Sequence, residues 1–234
     1  FRSGFMMVEN SFIFNEEFLR ANLLAINDEN RFKLNDVDFT EAAVLFLLVP
    51  HNHKPYDLVF ILRTHNKHDR HSGEISFPGG KRELGDKNLF ETATRECEEE
   101  IGVPRDNITI LGCIDDYSTP AFFIITPIVG FIDENTELNA NEAEVAEIIS
   151  VPITFFAKKQ NYTDTTYILN GEKISIGKFV YKHPNGKRYI IWGATAHLIT
   201  NFLEKIYHLH LMSPGSRRAR PRDFKQMYRK PTRN

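Results

Sequence analysis

Residues Ser76 to Val103 read SFPGGKRELGDKNLFETATRECEEEIGV, and the second half of that stretch sets the terms for the rest of the chain. Leu89, Ala93, Cys97 and Ile101 fall four apart, which places them on one apolar stripe of a helix. Glu96, Glu99 and Glu100 gather on another face. Like charges three or four apart on a helix repel by a few tenths of a kcal/mol, roughly, and no basic residue lies among the three. A divalent cation relieves that repulsion, because hard ions such as Mg2+ and Mn2+ take carboxylate oxygens together with substrate phosphates. A solvated acidic face is the alternative. Gly102 then ends the helix from a C′ position.

The residues before this helix favour the site. Phe77-Pro78-Gly79-Gly80 forms a turn whose glycines allow close backbone approach, and a charged loop follows that delivers Arg95 beside the first carboxylate. Together they resemble the Nudix box, G-x5-E-x7-R-E-U-x-E-E-x-G-U with U apolar. Arg95, Glu96, Cys97, Glu99, Glu100, Gly102 and Val103 fill its second half in order. Ungapped, the box glycine and first acid fall on Lys81 and Lys87; one extra loop residue places them on Gly80 and Asp86. The run from Arg70 to Gly80, RHSGEISFPGG, with Arg63 upstream and Asp86 after it, resembles the extended motif of the coenzyme A diphosphatase branch.

The resemblance covers nearly all of residues 38 to 206, taking in Asp115 to Thr119, Thr126 to Gly130 and Ile191 to Ala196. It implies an α/β fold, a Nudix-like α/β/α sandwich with a mixed β-sheet. It implies metal-dependent hydrolysis of coenzyme A to 3′,5′-ADP and 4′-phosphopantetheine, or, alternatively, of ADP-ribose or another nucleoside diphosphate derivative. A third reading, a Nudix-like RNA-binding module, requires degraded metal ligands, whereas Glu96, Glu99 and Glu100 are all present. The expected metal ligands are Glu96, Glu99 and Glu100, holding Mg2+ or Mn2+. Arg95 is expected to hold the helix face through a fork-shaped ion pair. Glu144 is the expected further carboxylate, with Glu147 beside it as the alternative; the two share a face if residues 141 to 149 are helical. Arg63, Arg70 and His71, with Gly79 and Gly80, are the expected substrate contacts.

The rest of the chain frames this site. Its 234 residues suit one domain with appendages: an N-terminal extension with a short helix over 1–37, the Nudix domain over 38–210 and a basic tail over 211–234. With 41% hydrophobic residues and 19 Phe it can bury a sizeable core, and a net charge of -2 argues against nucleic-acid binding by the whole surface. Two cysteines, one of them on the apolar stripe, argue against a disulfide framework. No apolar run reaches membrane-spanning length and no secretory pattern opens the chain, so the expected setting is cytoplasmic. Met6 or Met7 is expected to lie nearer the natural start.

Asn15 is expected to cap a helix over Glu16 to Ile26 that presents Phe18, Ala21, Leu24 and Ala25. AAVLFLLV, residues 42 to 49, reads as a strand covered on both faces. Strands are expected over 58–62, 108–114 and 122–129, with Pro127 favouring an edge or a bulge in the last. Further strands over 167–169, 178–181 and 188–191 join through Asn170-Gly171 and Asn185-Gly186 and lead into a closing helix that ends near Tyr207. From Ser216 the tail carries eight basic residues against one Asp. It reads as a solvated, mobile segment, with an RNA or phospholipid contact as the alternative. Self-association as a homodimer stays open.

Overall fold

The computed structural model describes residues 10–65, 73–169 and 171–228. In chain order its elements are α1 (Glu16–Asn22), β1 (Thr40–His51), β2 (Lys54–Arg63), β3 (Ile75–Ser76), β4 (Gly79–Lys81), α2 (Leu89–Ile101), β5 (Thr109–Cys113), β6 (Tyr117–Ser118), β7 (Phe123–Phe131), β8 (Val145–Pro152) and α3 (Ile153–Ala157). There follow β9 (Tyr162–Leu169), β10 (Glu172–Lys182), β11 (Arg188–Trp192), α4 (Gly193–Tyr207), β12 (Ser216–Arg217) and α5 (Pro221–Tyr228).

Strand β1 shows why the chain forms a sandwich. Alternate side chains leave opposite faces of a strand, and in β1 both sets are apolar. Ala43, Leu45 and Leu47 enter a core shared with Ala93, Cys97 and Ile101 of α2, while Phe46 and Leu48 enter a second core shared with Ile199, Phe202 and Leu203 of α4. Val59 and Ile61 of β2 join the first core, and Leu58 and Phe60 the second. The sheet between the helices is mixed, as expected: it runs β3-β2-β1-β7-β5, with β1 and β7 parallel and the other pairings antiparallel. Strands β9 to β12 make a second, four-stranded sheet, whose Tyr162, Phe179 and Ile191 extend the α4-side core. Both cysteines are buried and unpaired. No described helix is long and apolar enough to cross a membrane.

Several expectations are corrected. Helix α1 stops at Asn22, and its buried residue is Leu19, whereas Phe18 is exposed; Leu24 instead pairs its backbone with Cys113. Asn15 does cap the helix, accepting from Phe18 N at 2.9 Å. Pro127 lies in β7, a strand flanked on both sides, not at an edge. Its neighbour is interrupted there: β5 ends opposite Ile128, β6 begins opposite Ile125, and the Pro127 carbonyl accepts from Ile114 N between them. N–H and C=O of one strand residue point to the same side, so the missing N–H faces the gap. Residues 145 to 149 are strand, because Val145, Ile148, Ile149 and Val151 pair β8 along β2 and bury into both cores.

The described part of the tail is packed rather than solvated. Arg217 pairs with Asp223 and Glu172, Arg218 with Glu204, and Lys225 with Asp36 and Asp38. These pairs tie the basic residues to the body of the protein, where a solvated segment was expected and an RNA or phospholipid contact was the alternative. Phe224 is buried against Phe39 and Ile124. Phe224→Ala is therefore expected to lower stability by about 3 kcal/mol, the usual range for emptying a buried phenylalanine site. Urea denaturation reads this directly, and a change within experimental error would show that the tail does not contribute to the fold.

Candidate active site

The turn before α2 is anchored from the opposite core. Phe77 is fully buried, its ring 4.3 Å from Phe46 and 4.6 Å from Phe60 between centroids. The backbone then passes hard against β1, and Pro78 O accepts from Leu45 N at 2.8 Å. Gly79 has φ of 152°, and a Cβ there would lie 2.4 Å from Ala43 O. No other residue fits. Gly79 N is thereby delivered to Glu100 Oε2 at 2.8 Å. At Gly80 a Cβ would lie 2.5 Å from Glu96 Oε1, so the glycine leaves open the space in which that carboxylate sits.

Helix α2 begins at Asn88, whose side chain accepts from Phe90 N and Glu91 N, and closes on Gly102 in the left-handed conformation with φ of 70°. Its apolar stripe is buried as the spacing predicts, and burial pushes the Cys97 thiol far up, out of nucleophilic range. Arg95 sits at the centre of the acidic face. Its Nε and Nη2 bind Asp86 at 3.0 and 3.1 Å, and its Nη1 reaches Glu96 Oε1 and Glu99 Oε2, both at 2.9 Å. Asp86 also accepts from Thr92 Oγ1 and Glu83 N, each at 2.9 Å. The Arg95 guanidinium holds the Asp86 carboxyl well below the usual range. Asp86 thus fixes Arg95, and Arg95 fixes two glutamates.

Glu100 lies deepest, only 1% exposed, between Gly79 N and Arg63 Nη1 at 3.4 Å. Burial pushes its carboxyl up to about 8, with Glu96 and Glu144 adding to the shift and Gly79 N and Arg63 opposing it. Burial also raises Glu96, against the pull of Arg95 and with further repulsion from Glu99 and Glu144. Glu99 is about half exposed. Glu144 is exposed on the loop before β8, where Thr64 N donates to its carbonyl at 2.9 Å and Thr64 Oγ1 to Ala143 O at 3.0 Å. Its charge is felt by both Glu96 and Glu100.

Most of the expected residues therefore meet: Arg95, Glu96, Glu99, Glu100, Glu144, Arg63, Gly79 and Gly80 form one neighbourhood. Glu147 does not join it. Being in a strand instead of a helix, it points with its register partner Leu62 and binds Lys187 Nζ at 3.0 Å and Tyr189 OH at 2.7 Å. Arg70 and His71 lie outside the described residues. The fork-shaped pair expected of Arg95 is present, with Asp86 as its partner; that partner and the Arg63 to Glu100 pair went unread in the sequence.

The donor set fits a hard cation in chemistry: oxygen ligands only, mutually repelling, with a glycine at Gly80 leaving room for one of them. Among the described residues no three acidic, histidine or cysteine side chains close on a single point. Glu96 and Glu99 are turned to Arg95.

A family model described as NUDIX domain matches residues 39–167. The chain is 29% identical over 165 residues to an uncharacterized Nudix hydrolase NudL of Photorhabdus laumondii, covering 70% of this chain and 84% of that protein. It is 30% identical over 160 residues to the NudL of Yersinia enterocolitica, covering 68% and 80%. Similarity to the peroxisomal coenzyme A diphosphatase NUDT7 of Mus musculus reaches 34% over 157 residues, 67% of this chain and 66% of that one.

Proposed function

This chain belongs to the Nudix hydrolases and is an enzyme that cleaves a diphosphate, and we propose that the diphosphate is that of coenzyme A or a CoA derivative. The products are then 3′,5′-ADP and 4′-phosphopantetheine species. The observation that supports this reading is the similarity to the mouse coenzyme A diphosphatase, taken with the run from Gly73 to Gly80 that leads into the acidic helix. We assign the divalent ion, Mg2+ or Mn2+, to Glu96, Glu99 and Glu100. When bound it neutralises phosphate charge and acidifies a water.

The chain's own residues supply the rest. Attack of water oxygen on phosphorus forms one P–O bond and breaks the bridging P–O bond; the leaving phosphate takes the electron pair, and the water proton passes to a carboxylate. Glu144 is the exposed carboxylate beside Glu96 and Glu100, and we assign it the proton. Arg95 holds Glu96 and Glu99 together on the acidic face of the helix. Arg63, close to Glu100, is assigned to the substrate's phosphates together with Arg70 and His71, and Gly79 and Gly80 to its close approach.

The test is a panel of CoA, 3′-dephospho-CoA, ADP-ribose and nucleoside triphosphates, with and without Mg2+ or Mn2+ and with products identified. CoA is expected to give the highest kcat/KM and to yield 3′,5′-ADP. Preferential turnover of ADP-ribose would replace the substrate while leaving the family's chemistry intact. The same panel examines selectivity. CoA differs from its dephospho form by one phosphate, and Arg70→Ala is expected to lower kcat/KM for CoA about tenfold more than for 3′-dephospho-CoA, the effect of one charged hydrogen bond. Equal losses would reassign Arg70 to the diphosphate.

A further inference from the structure

On the α4 side of the sheet a cavity of about 470 Å³ shares no lining residue with the cluster around Glu100. Its walls come from the N-terminal segment, the link between β5 and β6, α4 and the C-terminal segment. Of its lining only Asp115, Asp116 and Tyr117 fall within the residues matched by the family model. The packed tail is thus part of the wall of a chamber.

Its chemistry is specific. Tyr117 and His197 stack with centroids 4.2 Å apart and planes 19° from parallel. Burial holds His197 far below its ordinary pKa, and the nearby Arg218 charge acts in the same direction, so the imidazole is neutral and the pair presents an uncharged π platform. Asn201 lies one helical turn further along α4, 2% exposed, and its Oδ1 accepts no hydrogen bond. Arg218 has a buried, unpartnered Nε, while its Nη2 is held by Glu204 at 2.7 Å. Arg220, exposed, adds a further cation to the lining. The acids are already engaged: Asp116 by Arg31, Thr126 Oγ1 and Leu34 N, and Asp115 by Lys205 and Phe32 N. Buried polar groups without partners are unfavourable, and a ligand that matches them recovers the lost bonds.

We propose that this cavity binds an adenine mononucleotide, with the base against the Tyr117–His197 platform, the Asn201 carboxamide on the adenine amino and N7 edge, and the phosphate toward Arg218 and Arg220. Each contact is the ordinary one for its group. Carboxamides pair with adenine through N6 and N7, bases stack on tyrosine and histidine, and guanidinium groups bind phosphate oxygens. The volume falls in the range of small-molecule sites, roughly 300 to 1,000 Å³. Such a site lets nucleotide level act on α4 and the tail, whichever diphosphate the enzyme cleaves.

Isothermal titration of the full chain in EDTA with AMP and with IMP tests this. AMP is expected to saturate a single site, and IMP, which carries a keto group in place of the amino group, to bind about tenfold more weakly. Asn201→Leu is expected to weaken AMP binding about tenfold, and Glu100→Gln to leave it unchanged. Because Asn201 is buried and its variant can fail to fold, the wild-type chain is also photolabelled with 8-azido-AMP, with label expected on the peptide holding Tyr117 or His197. Absence of saturable binding, equal affinity for AMP and IMP, or label confined to residues 75–103 would overturn the proposal.

Discussion

Glu100→Gln is expected to abolish diphosphate hydrolysis, by about a thousandfold or more, and at the same time to stabilise the metal-free protein at alkaline pH. The first effect follows because Gln keeps the size and the acceptor facing Gly79 N but removes the charge assigned to the metal. The second follows from the sign of the pKa shift. In the metal-free fold Glu100 holds its proton up to about 8, against an ordinary value of 4.5. Between those values the unfolded chain has lost the proton and the folded chain has kept it, so wild-type stability falls as pH rises across that window. Gln has no proton to lose. In EDTA the two proteins should therefore match below the window, and the variant should be more stable at pH 8, by on the order of 3 to 5 kcal/mol. Urea titrations across that range, run beside metal-dependent rates, check both halves. Wild-type turnover at low metal, or stabilities that stay parallel across the window, would remove Glu100 from the role assigned to it.

Arg95→Ala is the second large effect, and it is mainly structural. Asp86 is nearly fully buried and would lose both of its guanidinium bonds, and breaking a buried pair by removing one partner costs about 3 to 5 kcal/mol. Glu96 and Glu99 would lose their common tether, so kcat/KM should fall a further 10- to 100-fold, roughly, as it does when a residue supporting a metal site is removed. The double variant Asp86→Ala, Arg95→Ala isolates the pair. It should be less destabilised than the sum of the single variants, because no charge is left stranded. Additive losses would mean that Asp86 and Arg95 act separately.

What could be read from the sequence was whatever lay within one period or one turn. The stripe of Leu89, Ala93, Cys97 and Ile101 is local, and so are the two apolar sets of β1 and the Asn185-Gly186 turn, and each stands where its spacing placed it. The tail was misread because its partners are remote. Glu172, Glu204, Asp36 and Asp38 take up Arg217, Arg218, Arg222 and Lys225, and a charge count over one segment contains no term for acids elsewhere. Residues 141 to 149 were ambiguous because two glutamates three apart share a face on a helix and take opposite faces of a strand, and their spacing alone does not choose between the two; the β-branched residues at 145, 148, 149 and 151 carried the answer. That difference separates Glu144, at the cluster, from Glu147, tied to Lys187 and Tyr189.

The parallel pairing of β1 with β7 bears on how the chain is made. AAVLFLLV leaves the ribosome before the other strands of its sheet, and β2 follows at once to cover one of its edges. The strand for the other edge begins at Phe123, roughly 80 residues after Thr40, which is several seconds or more at ~5–20 residues per second. Throughout that interval β1 presents an uncovered strand edge; α2 is made before β7 and can cover one oily face, but the face that packs on α4 stays bare because α4 comes later still. Such an edge is a template for pairing with another nascent chain, so the step at which this protein is most exposed to aggregation is its own synthesis, and slowing translation after β2 should lower soluble yield more than slowing it after β7.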